Sequence, residues 1–184
     1  MLGVGQKLPD FKIIGVKPGF NSHEENGVSA FETVTEKSFE GKWKVIFFYP
    51  KDFTFVCPTE IAAFAKLGKD FEDRDTVVLG GSTDNEFTKL AWRRDHADLD
   101  KLPIWQFADN GGKLARALGV LDKEEGVALR ATFVVDPHNV IQHVYVTNLN
   151  VGRAPEDTLR VVDALQTDEL CACNRPVGGQ TLAA

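Results

Sequence analysis

Three cysteines, Cys57, Cys171 and Cys173, are the residues of this sequence with the most chemistry to offer, and they occupy two different settings. Cys57 lies in Tyr49-Pro-Lys-Asp-Phe-Thr-Phe-Val-Cys-Pro-Thr-Glu60, directly before a proline suited to the first turn of a helix. A thiol at a helix start faces unpaired backbone N–H groups and the positive end of the helix dipole. Thiols so placed ionise with a pKa of about 3.5 to 7.5 instead of about 8.5. An ionised sulfur is a nucleophile, and in-line attack also asks for fixed donors around the reacting atoms. Thr54, three residues before Cys57, carries a hydroxyl that can serve, and Pro50 stiffens the loop. Each feature also has a plain reading. A single thiol is more often an inert apolar side chain, Thr54 alone reads as a turn hydroxyl, and Glu60 as a first-turn carboxylate favoured by the dipole. The Cys171-Ala-Cys173 pair is a dithiol or half of a metal site. Zinc wants four ligands, and no histidine or third cysteine lies nearby, so no metal is expected.

The elements that must position these groups follow from the pattern on either side. Trp43 to Tyr49 is nearly all apolar and rich in β-branched and aromatic residues, which suits a strand covered on both faces. Ile61, Phe64, Ala65, Leu67 and Phe71 then recur at helical spacing. Thr76 to Ser82 reads as a second buried strand, followed by Thr83 and Glu86 at capping-box spacing and a helix carrying Phe87, Leu90 and Ala91. Leu114, Ala115 and Leu118 mark a short helix that Gly119 ends. Residues 131–135 and 140–146 form a hairpin through Asp136-Pro-His-Asn139, and Pro155 opens a helix with Leu159, Val162 and Leu165 on one stripe. Residues 15–30 read as an extended loop with room for short strands. This order predicts an α/β protein with a mixed central β-sheet flanked by helices, for which a thioredoxin-like fold fits. Residues 1–170 form one domain, and residues 171–184 form a loosely held C-terminal tail.

Composition narrows the function classes. The 184 residues are 43% apolar and carry a net charge of −6, an ordinary globular profile in which roughly 70% of the unfolded surface can be buried in one core. Nothing resembles a basic stripe able to neutralise phosphates, so no nucleic acid is expected. The longest apolar run, Val45 to Tyr49, is far short of the roughly 20 residues that span a bilayer, so no membrane is expected either. The N-terminus has no charged region leading into an apolar stretch, and three cysteines are too few for a disulfide scaffold. A cytoplasmic location is the expectation. His23, His96, His138 and His143 show no pairing and read as structural or solvated. Trp43, Trp92 and Trp105 read as core or interface residues.

Pro50, Thr54 and Cys57 match the Pro-x-x-x-Thr-x-x-Cys signature of the peroxiredoxins, and the chain resembles that family over roughly residues 3 to 175. Residues 48–60 and Val151-Gly-Arg-Ala-Pro-Glu-Asp-Thr-Leu-Arg160 carry the likeness further, towards the typical two-cysteine branch of the alkyl hydroperoxide reductase C type. The resemblance implies a peroxidase without metal, haem or flavin, acting on hydrogen peroxide and organic hydroperoxides. In it Cys57 attacks peroxide and becomes a sulfenic acid, Arg130 completes the site, and Glu60 and Arg153 help order it. It further implies that Cys171 of the partner subunit resolves the sulfenic acid as an intersubunit disulfide. An external dithiol protein, thioredoxin-like or another Cys-x-x-Cys protein, then reduces that disulfide. The homodimer is expected to assemble into a ring of ten or twelve subunits. The family commonly reads Val-Cys-Pro where this chain reads Leu170-Cys-Ala-Cys173, so Cys173 is a candidate second resolving or relay thiol. The Gly-Gly-Leu-Gly insert and Tyr-Phe tail helix of easily over-oxidised members are absent, with Ala117-Leu-Gly-Val120 near the first place. That absence implies resistance to sulfinic acid formation.

Two other readings use the same residues. A thiol–disulfide oxidoreductase on this fold would work through Cys171 and Cys173, although the usual Cys-x-x-Cys at the helix start is missing. A holdase-like assembly would need an exposed apolar patch.

Overall fold

The computed structural model describes residues 1–182. Its strands are β1 (Lys12–Val16), β2 (Glu24–Glu25), β3 (Val28–Ser29), β4 (Phe31–Thr35), β5 (Trp43–Phe48), β6 (Thr76–Ser82), β7 (Trp105–Ala108), β8 (Arg130–Val135) and β9 (Ile141–Thr147). Its helices are α1 (Cys57–Lys66), α2 (Gly68–Glu72), α3 (Glu86–Asp95), α4 (Lys113–Leu118) and α5 (Pro155–Gln166). Seven strands form one mixed sheet in the order β4-β1-β7-β6-β5-β8-β9, while β2 and β3 make a small separate hairpin. The pairs β5–β6 and β6–β7 are parallel and the remaining pairs antiparallel, so the predicted mixed α/β sheet stands. Among the described residues no helix is long and apolar enough to cross a membrane.

Strand β5 is apolar throughout because both of its faces are covered. Val45 and Phe47 enter a layer with Ile61 and Phe64 of α1, Trp92 of α3 and Val162 of α5. Ile46 and Phe48 enter the opposite layer with Leu114 and Leu118 of α4. The two glycines inside β6 have a packing cause. A Cβ on Gly80 would lie 2.2 Å from the Phe47 ring, and one on Gly81 would lie 2.3 Å from the Phe107 ring. Only glycine lets those rings lie against the sheet backbone.

Several expectations need correction. The helix after Pro58 is broken at Leu67, whose N–H bonds to Phe64 O, so the apolar spacing from Ile61 to Phe71 is divided between α1 and α2. Thr83 does not cap α3. Asn85 does, accepting the Thr88 N–H at 2.8 Å, while Glu86 is the first helical residue. Phe87 faces outward at 53% exposure, and Lys89 and Arg93 take inward places beside Leu90 and Trp92. Strands β1, β4 and β7 have no clear local signature, because β1 contains a glycine, β4 reads polar, and β7 has only four residues around a buried Gln106. Gly119 does end α4, with φ of 78°.

Candidate active site

Cys57 is the first residue of α1 and Pro58 the second, so the missing proline N–H falls where the helix needs none. The Thr59 and Glu60 amides bond to Val56 O at 3.1 and 3.4 Å, whereas those of Val56 and Cys57 make no hydrogen bond within the described residues. The Cys57 side chain is buried, with the residue 1% exposed. It lines a cavity of about 250 Å³ with Pro50, Thr54, Arg130 and the apolar Phe55, Val127 and Leu149. At its rim Lys51 and Glu125 pair at 3.8 Å, both largely exposed.

Arg130 opens β8 and is the cation of the site. Its Nη1 lies 3.5 Å from Cys57 Sγ, and its Nε donates to Leu149 O at 2.6 Å. The same Nη1 donates to Glu60 Oε2, on the α1 turn that follows the cysteine. The other Glu60 oxygen accepts from the Arg153 backbone N–H at 3.0 Å and from Arg153 Nε at 2.8 Å. Arg153 in turn donates through Nη1 to Ala131 O at 2.8 Å and lies over the Phe47 ring at 5.5 Å. One carboxylate thus sits between two guanidiniums, leaving a surplus positive charge beside Cys57 Sγ. Burial makes such a balance matter, since an unpaired internal charge is costly. Glu60, which alone reads as a first-turn carboxylate, is therefore brought together with Arg153, Arg130 and Cys57.

Thr54 lines the cavity but donates its hydroxyl proton to Lys51 O at 2.9 Å, so its oxygen is left as an acceptor rather than a donor. The loop that carries it is seated by groups the sequence reading missed. Asp52 pairs with Lys89 Nζ at 3.2 Å, both side chains buried, and the Asp52 N–H donates to Asp84 at 2.8 Å. Phe53 has a φ of 55° and stacks on Trp92 at 5.6 Å. One turn along α3, buried Arg93 donates to Lys17 O at 2.7 Å and Phe20 O at 3.0 Å. It thereby holds the loop of residues 15–30. Burial lowers Arg93 to about 10, which leaves it cationic at neutral pH. The signal available in the sequence was two cations, Lys89 and Arg93, one helical turn apart beside inward-facing Leu90 and Trp92.

Cys171 and Cys173 lie away from this cavity. Cys171 is half-buried and lines a separate, open cavity of about 1270 Å³ between α5 and the tail, and Cys173 is exposed. Among the described residues no group of three metal-binding side chains occurs. The tail is not loosely held. Arg175 is 6% exposed and donates to Asp163 at 2.6 Å, and Leu182 N–H bonds back to Leu170 O at 2.8 Å. Residues 183 and 184, the last two of the expected tail, lie outside the described residues.

A buried cysteine at a helix start, beside a buried Arg–Glu–Arg cluster, agrees with a match of residues 4–144 to the family model described as AhpC/TSA family. The chain belongs to the AhpC/TSA family. It is 52% identical to alkyl hydroperoxide reductase C of Mycolicibacterium smegmatis over 186 residues, covering 100% of this chain and 95% of that protein. The protein of the same name from Mycobacterium tuberculosis H37Rv is 48% identical with the same coverage. Among solved structures, Mycobacterium tuberculosis AhpC superposes with a TM-score of 0.86 at 48% identity, covering 94% of this chain and 97% of that one. Reduced Plasmodium vivax 2-Cys peroxiredoxin gives a TM-score of 0.86 at 31% identity, covering 98% and 92%. The thioredoxin-like sheet of the AhpC/TSA peroxiredoxins is therefore the scaffold here, and the resemblance read from Pro50, Thr54 and Cys57 holds.

Proposed function

We propose that this protein is a thiol-dependent peroxidase that reduces hydrogen peroxide and organic hydroperoxides through Cys57. The observation that carries the reading is the Arg130 guanidinium 3.5 Å from Cys57 Sγ in a cavity shared with Thr54 and Pro50. Its relatives named alkyl hydroperoxide reductase C and, in Trypanosoma brucei rhodesiense, thioredoxin peroxidase support it. The Cys57 thiolate attacks the nearer peroxide oxygen. The O–O bond breaks as the S–O bond forms, and the departing oxygen leaves as water or alcohol after taking up a proton. Arg130 stabilises the charge that develops on the peroxide oxygens. The Thr54 oxygen, its own proton engaged on Lys51, accepts the hydrogen bond of the peroxide O–H. Pro50 shapes the loop, and Glu60 and Arg153 hold Arg130 in place.

In the second half of the cycle, Cys171 of the partner subunit attacks the Cys57 sulfenic sulfur. The S–S bond forms, the S–O bond breaks, and water leaves. An external dithiol protein of the Cys-x-x-Cys kind reduces the disulfide, with Cys173 as a second resolving or relay thiol. Residues 1–170 are the catalytic domain and 171–184 its resolving tail. The working assembly is a homodimer built into a ring of ten or twelve, in the cytoplasm.

The test is a single-turnover reaction of the reduced protein with hydrogen peroxide, followed by thiol loss and a nonreducing gel. Wild type should give a disulfide-linked dimer, Cys171→Ser a trappable sulfenic acid or a slower Cys173 bridge, and Cys57→Ser almost no reaction. Peroxide consumption by Cys57→Ser at the wild-type rate would remove Cys57 from the chemistry.

A further inference from the structure

A lysine is almost never fully buried unless its ammonium finds a full set of acceptors. Lys89 of α3 is 0% exposed, and it finds them at the catalytic end of the sheet. Its Nζ donates to Ser82 Oγ at 2.8 Å, to Asp52 Oδ1 and Oδ2 at 3.2 and 3.3 Å, and to the Tyr49 hydroxyl at 3.3 Å. Tyr49 follows β5, Ser82 ends β6, and Asp52 lies in the loop that leads to Cys57. One cation therefore ties the ends of two parallel strands and the catalytic loop to a helix. Apolar residues of the same volume commonly hold such elements as firmly, because a buried ion pair adds little net stability. What the pair adds is direction, since it fixes where Asp52 points.

That direction bears on the next two residues. Phe53 has a φ of 55°, in the left-handed region that a bulky side chain enters only at a cost. Such a conformation persists only where its surroundings over-determine it. Asp52 before it is held by Lys89 through the side chain and by Asp84 through the N–H at 2.8 Å. The Phe53 ring stacks on Trp92 at 5.6 Å, and Trp92 shares the inward face of α3 with Lys89. The residue after Phe53 is Thr54, which lines the cavity with Cys57 and Arg130. A return of Phe53 to an ordinary φ would turn Thr54 away from that alignment.

The geometry points to Lys89 as a positioning residue that, through Asp52, holds Phe53 in its left-handed conformation and so keeps Thr54 aimed at a peroxide on Cys57. The inference deepens the proposed peroxidase reading and rests on it. Peroxide attack needs Cys57, Thr54 and Arg130 in register at once, and a misplacement of about 1 Å costs about a hundredfold. Alkylation of the same thiolate by iodoacetamide breaks no O–O bond and asks for none of that alignment. Two reactions at one sulfur thus separate aim from the bare integrity of the fold.

The experiment compares wild type with Lys89→Met/Asp52→Asn and with Asp52→Ala. The double variant removes a cation and an anion together, so it leaves no unpaired charge inside. Asp52→Ala cuts the link to the loop and leaves Lys89 on two hydroxyl oxygens. Circular dichroism and thermal unfolding identify the variants that fold. Stopped-flow mixing with hydrogen peroxide gives the rate of Cys57 thiol loss, and iodoacetamide gives the alkylation rate and its pH midpoint between about pH 4 and about pH 9. Both variants should lose about 10–100-fold in the peroxide rate. The double variant should keep the alkylation rate and its midpoint. A wild-type ratio of peroxide rate to alkylation rate in the double variant, whether both rates hold or both fall together, overturns the inference. If the double variant does not fold, a wild-type ratio in Asp52→Ala overturns it. Peroxide consumption by Cys57→Ser at the wild-type rate would instead overturn the peroxidase reading on which it rests.

Discussion

Two carboxylates of the molecule each sit between two arginines, Glu60 between Arg130 and Arg153 beside Cys57, and Asp163 between Arg74 and Arg175 under the tail that carries Cys171. The first cluster joins α1, β8 and the loop before α5, with side-chain exposures of 1, 5 and 2%. The second joins α5 to the turn before β6 and to the tail, with 13, 22 and 5%. The same charge pattern therefore does different work. Sealed from water, it fixes a guanidinium against one sulfur. Partly exposed, it holds the tail that carries the other sulfur against α5.

The comparison breaks most visibly at the buried end. Glu60→Ala leaves two internal guanidiniums without their carboxylate and should lower the unfolding free energy by about 3–5 kcal/mol. Urea denaturation followed by tryptophan fluorescence measures it, and a loss below about 1 kcal/mol would mean that water reaches both cations. Arg130→Met keeps Glu60 paired with Arg153 and should cost less stability while slowing Cys57 thiol loss by about 10²–10³, as removal of a preorganised donor does. Stopped-flow mixing with hydrogen peroxide reads this, and an unchanged rate would take Arg130 out of the chemistry.

The smallest effect belongs to the exposed cluster. Burial pushes the Asp163 carboxyl up, but the Gly178 N–H together with Arg175 and Arg74 outweighs it and holds the group below its ordinary range. A carboxyl lowered in the folded state contributes stability above its unfolded pKa of about 3.9 and loses it as the pH falls through the folded value. Gly178 exchange protection, corrected for intrinsic exchange, should therefore stay level from about pH 8 to about pH 5 and decay only below about pH 4. Decay between pH 7 and 5 would assign the hold on the tail to a different titrating group.

The two clusters also differ in how far the sequence disclosed them. Cys57 at a helix start, the covered strand β5 and the β8–β9 hairpin follow from local patterns of apolar spacing, Pro58 and the turn at 136–139, and the structure keeps them. Arg130 and Arg153 carry no local signature. They reached the site through resemblance, because their partner Glu60 is 70 and 93 residues away in the chain. Asp163 and Arg175 escaped altogether, since a helix carboxylate and a tail arginine twelve residues apart imply no contact until the chain reverses. Lys89 and Arg93 were hidden by the habit of reading charge as surface, a habit that fails where buried carbonyls and Asp52 are waiting as acceptors.

The bare backbone at Gly80 reaches further than its strand. Phe47 lies against it, stacks on Phe64 at 4.0 Å on the α1 side and carries the Arg153 guanidinium at 5.5 Å, which is bonded to Glu60 and through it to Arg130. Any side chain at position 80 must move that ring, and the ring cannot move without shifting the cation above it. A single methyl at the centre of the sheet is thus a change to the surroundings of a sulfur it never touches.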